Sequence, residues 1–382
     1  MRNCFKKTTG LLVAVVVAGA FTSSAFGVAS FARQTGLECL SCHTSAPGFP
    51  SLNSFGAAFK AGGYTMGQNF VEGEKLSIPA ALNTSIVTKI RAKYHGGDAY
   101  GANPSLTVNT PDEYAIFFAG RVGENVGFVT EYAGGPLSFK MVFAYDVGPV
   151  KIAVVPWWSD AFSAAWAFEG LSTGAVRNIR PSESSVVSAF KEQSYGGGGE
   201  AAGLGLYVWH PMGFLVYTPF VKAYDGGLNQ SAAHYVRLAV TPTLGPLETG
   251  IGFAYYTGTT SGATDFGDIA TQPVTDYNAY GVDLQVIGNI GIPLSAFITY
   301  FADVEAATSD FAIYVEAGLI ENTLNFGLGY NMHLHDDVNS MLIVLKYNIL
   351  QNLRVSVDVT YYLDDGLGNS GYEVMPMLFG SF

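Results

Sequence analysis

The segment Arg354-Val355-Ser356-Val357-Asp358-Val359-Thr360-Tyr361 alternates polar and apolar side chains without a break. A period of two is the spacing of an extended strand, whose successive side chains point to opposite faces. Val355, Val357, Val359 and Tyr361 therefore share one face, and Arg354, Ser356, Asp358 and Thr360 share the other. Two structures impose such a pattern. A water-soluble sandwich turns its apolar face inward. A transmembrane barrel turns that face outward to lipid and lines a wet lumen with the polar one.

From residue 80 onward the chain repeats this unit. Strands are expected over 82–95, 113–122, 126–133, 137–146, 150–157, 200–210, 213–222, 233–242, 247–257, 277–288, 292–302, 311–320, 323–333, 339–348, 353–363 and 371–382. These sixteen segments have the length of about ten residues that a tilted strand needs to cross a bilayer. Connections after the even-numbered segments are tight: Gly123-Glu124-Asn125, Gly148-Pro149, Pro211-Met212, Leu244-Gly245-Pro246, Asn289-Ile290-Gly291, Glu321-Asn322 and Leu350-Gln351-Asn352. Those after odd segments are mostly long, reaching about forty residues between 158 and 199, with Ala133–Pro136 a short exception. Short periplasmic turns alternating with longer outer loops mark bacterial outer-membrane barrels, and an even strand number puts both chain ends in the periplasm. Phe382, after an apolar strand, resembles the C-terminal assembly signal of such proteins. Trp157, Trp158, Trp209, Tyr255, Tyr256, Tyr361 and Tyr362 sit near segment ends, where aromatic girdles belong. The long 158–199 loop holds helix-compatible stretches at 159–170 and 184–192, as a lid over the mouth would.

Composition agrees. Of 382 residues, 49% are hydrophobic, 14% aromatic and only 13% charged, with 46 glycines and a mean hydropathy of +0.25. Lys+Arg 19 against Asp+Glu 31 leaves a net charge of −12, which excludes a nucleic-acid partner. After the first 30 residues there is no run of 18 apolar residues, so spanning helices are not expected. The fold class expected is all-β: a sixteen-stranded transmembrane antiparallel barrel over 81–382, with outer-membrane lipid as its surroundings.

The N-terminus has the parts of an export signal over residues 1–27: Arg2, Lys6 and Lys7, an apolar run from Leu11 to Phe21, and the small-x-small site Ala25-Phe26-Gly27. Its removal takes Cys4 away and leaves two cysteines. These sit in Cys39-Leu40-Ser41-Cys42-His43, the C-x-x-C-H spacing of c-type haem attachment. Two thiols bond the porphyrin edge and the adjoining imidazole reaches the iron. A redox-active dithiol or half a zinc site are the bland alternatives. Residues 28–80 thus form a short segment expected to carry one covalent haem c and to plug the barrel from the periplasmic end. Met66 is the first candidate for the sixth iron ligand, with His95, His210 and His234 as rivals and five-coordination open.

Charges add two further expectations. The presumed outer loops are acidic, opposed only by Arg177, Arg180 and Lys191, so the rim concentrates cations. Within it His333, His335, Asp336 and Asp337 offer mixed N/O ligands where Fe(II) could be taken up. Lys89, Arg91 and Lys93 alternate on the first strand; facing the lumen, they would pair with haem propionates or with carboxylates such as Asp283 and Asp358.

The stretch Phe31-Ala32-Arg33-Gln34-Thr35-Gly36, the Cys39–His43 motif, and Pro50-Ser51-Leu52-Asn53-Ser54-Phe55-Gly56 with Phe59 and Gly63-Tyr64 resemble the fused monohaem cytochrome–porins of iron-oxidising bacteria. The resemblance covers residues 31–64 in motif and the rest in architecture. It implies oxidation of extracellular Fe(II), with electrons passed through the haem to a periplasmic electron-carrier protein, an Fe(II):cytochrome c oxidoreductase activity. It carries over Cys39 and Cys42 as attachment sites and His43 as haem ligand. The alternatives are a conduit for another extracellular donor or acceptor, and a solute porin with a structural or sensory haem plug. A secreted soluble β-cytochrome is disfavoured by the hydropathy and the turn alternation.

Overall fold

The computed structural model of the chain describes residues 29–44, 51–67, 70–72, 77–79, 83–98, 104–133, 137–159, 162–176, 180–190, 201–222, 232–260, 275–335, 338–364 and 369–382. Sixteen long strands among them form one closed antiparallel barrel. They are β1 Thr84–Gly97, β2 Ser105–Arg121, β3 Val126–Tyr132, β4 Ser138–Val147, β5 Val150–Ser159, β6 Ala201–His210, β7 Gly213–Lys222 and β8 Ala233–Val240. The circuit continues with β9 Leu247–Thr260, β10 Thr275–Asn289, β11 Pro293–Asp303, β12 Thr308–Ile320, β13 Leu324–His333, β14 Asn339–Leu350, β15 Leu353–Asp364 and β16 Gly371–Ser381. Closure comes from β16 against β1, from Gly371 opposite Gly97 to Ser381 opposite Val87.

The wall is inside out. On β15 Arg354, Ser356, Asp358 and Thr360 are 2–3% exposed, whereas Val355 and Tyr361 lie open on the other face. On β14 Met341, Ile343, Leu345 and Tyr347 are exposed while Lys346 and Asn348 are buried. A sandwich in water would show the reverse. Apolar outside, polar inside and a ladder with no free edge are what hydrocarbon demands of a spanning sheet. Among the described residues no helix is long and apolar enough to cross a membrane.

The tight turns lie where the alternation puts them. Gly148, at φ 63, supplies the left-handed residue that the two-residue β4–β5 hairpin needs.

Three features differ from the sequence reading. First, β2 begins at Ser105 rather than 113. Pro111 reads as a strand breaker. Here the β1–β2 register jumps between Lys89 opposite Glu113 and Arg91 opposite Asn109, so Pro111 bulges out of the ladder and the strand continues.

Second, adjacent aromatics do not both join a girdle. Trp158 and Tyr361 face outward, but Trp157, Trp209 and Tyr256 are buried in the bore. A period of two sends neighbours to opposite faces. Outward aromatics do gather near the strand ends: Tyr94, Tyr361 and Tyr372 cluster at the long-loop end, with ring centroids 6.0 and 6.5 Å apart. Tyr145 and Tyr347 lie exposed near the short turns.

Third, the β5–β6 loop is not a lid over the mouth. Residues 162–176 and 180–190 fold into the barrel, and Ala164, Trp166, Phe168, Leu171, Val187 and Phe190 are buried there. The expected helices are reduced to 3-10 turns at Ala164–Trp166 and Ser185–Val187. Glycines on the inner wall make the room: a Cβ at Gly205, Gly250 or Gly281 would collide with Ala167, Leu171 or Phe190 of the loop.

An arginine placed at the outward, mid-strand Ile343 should therefore lower barrel stability by about 2–4 kcal/mol. Denaturant unfolding in lipid vesicles measures it. No change would mean that this face does not meet hydrocarbon.

Candidate functional site

The N-terminal segment is built from two short helices and the cysteine turn. Helix α1 is Ala29–Thr35, the turn Cys39–Ser41 is 3-10, and α2 is Ser54–Ala61. Asn53 caps α2 by accepting from the Gly56 amide at 2.9 Å, and its Nδ2 donates to the Ser41 carbonyl at 3.1 Å. One side chain thus starts the helix and fixes the cysteine turn. A bridge between His43 and Leu52 folds the two halves together, with the Thr44 amide on the Ser51 carbonyl and the Asn53 amide on the Cys42 carbonyl, both at 3.0 Å. Gly56 packs so closely on the Cys42 carbonyl that a Cβ there would collide with it.

This unit sits in the short-turn mouth. The Ser30 amide donates to Ser85 Oγ at 2.8 Å, and Arg33 reaches the Thr84 carbonyl, both at the start of β1. Gln34 Oε1 accepts from the Arg121 amide at 2.9 Å at the end of β2. Gln351, in the β14–β15 turn, accepts from the Cys39 amide at 3.3 Å, and Glu248 on β9 accepts from the Ser54 amide at 2.8 Å. Phe31 stacks on Tyr64 at 4.7 Å, and the Tyr207 hydroxyl donates to the Ala61 carbonyl at 2.7 Å. A Cβ on Gly127 would strike the Gly63 carbonyl, so wall and segment touch backbone to backbone. Between segment and wall lies a cavity of about 260 Å³ with a mixed lining, bordered by Thr44, Asn53, Glu248, Ile287, Leu294 and Glu316.

Within the motif, Cys39 is buried and Cys42 half-buried; neither is in a disulfide, and Cys39 Sγ donates to the Gln351 carbonyl at 3.7 Å. Burial pushes the Cys42 thiol up. The His43 side chain is half-buried, and its Nδ1 is shielded from solvent with no hydrogen-bond partner. Burial lowers its pKa to about 4, against a weaker opposing hydrogen bond with the Ser51 backbone. The imidazole is therefore neutral at physiological pH, the form that ligates a metal. Two thiols three residues apart, beside a neutral imidazole with a shielded, unpartnered Nδ1, are a donor set that fits a haem c.

The rival sixth ligands separate by position. Met66 is 39% exposed and touches α1 through its carbonyl, which accepts from Gln34 at 2.7 Å. His210 lies at the same end, its Nδ1 accepting from the Met212 amide at 3.2 Å. His95 pairs with Glu373 at 3.1 Å and His234 with the Tyr217 hydroxyl at 3.0 Å. Both belong to the long-loop end, a strand length from His43.

The lumenal cations do face inward, but their partners come from neighbouring strands and the inward loop. Lys89 pairs with Glu183 of the loop at 2.9 Å, Arg91 with Asp112 of the β2 bulge, and Lys93 with Glu373 at 3.7 Å. Asp283 and Asp358 are already held, by Arg237 at 2.6 Å and by Ser182 at 2.7 Å. The expected acidic rim is accordingly thinner, because Glu169, Glu183 and Asp310 lie inside the wall. His333 pairs with Asp310 across β13 and β12, and His335 lies in the turn that follows. Asp336 and Asp337 fall outside the described residues. Among the described residues no group of three or more His, Cys, Asp and Glu is placed to hold a metal ion.

What sequence reasoning missed is the clamp on the loop. Arg237 of β8 is fully buried between Glu169 of the loop, at 2.8 Å, and Asp283 of β10. Lys346 holds the Pro181 carbonyl at 2.7 Å, and Gln285 accepts from the Ser172 amide at 2.6 Å. The loop in turn meets the N-terminal segment: Lys60 donates to the Glu169 carbonyl at 2.7 Å, and the Leu52 amide to Ser172 Oγ at 3.1 Å. Arg237 falls on the inward register of its strand, which was a usable signal; its two partners were not readable.

No family model matches the chain, and no curated protein does. Solved structures similar to it are bacterial porins. A variant of Rh. blastica porin shares 11% identity at a TM-score of 0.48, over 78% of this chain and 100% of that one. OprB of Pseudomonas putida shares 11% at 0.49 over 78% and 93%. An anion-selective porin from Comamonas acidovorans shares 13% at 0.47 over 78% and 98%.

Two outcomes follow. Arg237→Ala strands two buried carboxylates and should cost about 3–5 kcal/mol, read as a lower unfolding midpoint with protease cleavage inside 162–190. Glu183, on the loop and outside the spanning strands, is pushed up by burial, but Lys89, Arg180 and Arg91 outweigh this and hold it at about 2, below its usual 4.5. Its anchorage is complete above 4.5 and is lost as the pH falls toward 2. Hydrogen exchange in 180–190 should therefore rise over that window, and Glu183→Gln should abolish the rise.

Proposed function

We propose that this chain is a porin-type barrel of the bacterial outer membrane whose short-turn, periplasmic mouth is closed by a segment carrying one covalent haem c. The inside-out wall is the observation that supports the barrel half. Apolar side chains meet lipid, the bore carries polar and charged groups such as Arg237, Lys346, Arg354 and Asp358, and a long loop folds into it against an aromatic part of the wall. A constricted passage for small polar or charged solutes is the role this geometry favours. The short turns orient the mouth toward the periplasm, and the export signal over residues 1–27 agrees.

A second reading is favoured by the neutral His43 beside Cys39 and Cys42, neither of which is in a disulfide. Cys39 and Cys42 would hold the porphyrin and His43 the iron; Met66, exposed at the same mouth, is the nearest candidate in sequence for the sixth position. Bound there, haem c supplies one-electron exchange. Asn53, Gln34 and Gln351 fix the motif against the rim, and packing around His43 shields its Nδ1 from water. On this reading the protein carries electrons from extracellular Fe(II), or another donor, to a periplasmic electron-carrier protein, as its resemblance to the cytochrome–porins implies.

Both readings are tested on protein purified in detergent after expression with haem-attachment machinery. A covalent haem band should be present, and Cys39→Ala with Cys42→Ala should remove it while leaving the barrel folded. Rapid anaerobic reduction of that band by Fe(II), with little ion conductance in planar bilayers, favours the conduit. Steady conductance with a haem that only dithionite reduces favours the solute porin. Absence of covalent haem would sink the haem half and leave the barrel standing.

A further inference from the structure

Beyond the haem motif, one part of the inner wall has the chemistry of a metal site. Asp310 on β12 stands directly opposite His333 on β13, and their side chains meet through Asp310 Oδ1 and His333 Nδ1. Both face the bore near its long-loop end. In the next row of the same wall, Asn331 lies opposite Ala312 and Ser340, two residues from His333 and on the same face. Asn331 is 4% exposed, and its Oδ1 has no hydrogen-bond partner. A buried carboxamide oxygen with no donor is a cost that an ordinary His–Asp pair does not require. The His333 side chain keeps 35% of its surface, so the row is open toward the mouth.

We infer that Asp310, His333 and Asn331 form a binding site for a divalent first-row metal ion on the lumen wall. An imidazole nitrogen, a carboxylate oxygen and an amide oxygen are the mixed donor set that such ions accept. The orphaned oxygen of Asn331 acquires in the ion the partner that the protein does not give it. The net charge of −12 draws cations toward the chain. The donor set differs from the His333, His335, Asp336 and Asp337 set to which the sequence points, because the β12–β13 register brings Asp310 to His333. It rests on the barrel half of the proposed function, with a bore reachable from the long-loop end, and not on the haem.

The test is Mn(II) binding to the full-length protein in detergent, followed by loss of the free-ion paramagnetic resonance signal. One saturable site is expected. His333→Phe and Asp310→Asn should each weaken it at least tenfold, while His335→Gln should change it less than threefold. Asn331→Asp adds a carboxylate in place of the amide and should tighten binding threefold or more, a gain that misfolding cannot produce. Lack of saturable binding, survival of binding in His333→Phe, or loss in His335→Gln alone would overturn the inference. The signal does not depend on haem, so absence of covalent haem leaves the result interpretable.

Discussion

Hydrocarbon offers a peptide group no hydrogen bond, so a spanning sheet must pair every strand and leave no edge. That constraint organises the rest of the molecule. It requires β16 to return to β1, and it sets strand lengths and a strict period of two. It also reverses the usual sides of the sheet, leaving Arg237, Lys346, Arg354 and Asp358 on the inner wall, with the loop and the N-terminal segment drawn in against them. A polar interior enclosed by an apolar exterior then has its own difficulty, since charges without bulk water need partners at close range.

The inward loop answers much of that need. Glu169 stands with Asp283 against Arg237, Glu183 meets Lys89, and the Pro181 carbonyl meets Lys346. Such pairs add little net stability over apolar replacements, because desolvation offsets attraction. Their value is positional: Arg237 admits one placement of Glu169 and Asp283. The loop is held there by ionic geometry on one side and by glycine clearances on the other, where Gly250 and Gly281 leave space for Leu171 and Phe190.

The sixteen strands were legible because each states its environment locally, residue by residue. Pro111 misled because a bulge, a relation between two strands, excuses it from the ladder. Trp157-Trp158 and Tyr255-Tyr256 misled for a simpler reason: proximity to a strand end does not decide a face. The Cys39–His43 spacing can be read without the fold because it is contained in five consecutive residues. Partners of Lys89, Arg91 and Arg237 cannot, since they come from loop and strand positions far along the chain. Asp310 falls just before the strand expected from residue 311, yet the β12–β13 register places it inside beside His333.

The loop and the N-terminal segment are not independent occupants of the bore. Lys60 holds the backbone of Glu169, whose side chain Arg237 holds, so the helix after the cysteine motif is joined to the wall through the loop. Leu52, which bridges His43, is tied to Ser172 on the same loop. A solute path that displaced the loop would loosen the turn around His43, and a change in that turn would bear on the loop. The inward loop and the turn around His43 are thus mechanically linked in this chain. Under the solute-porin reading the link makes the segment a gate; under the electron-conduit reading it keeps the bore constricted while the motif holds its shape.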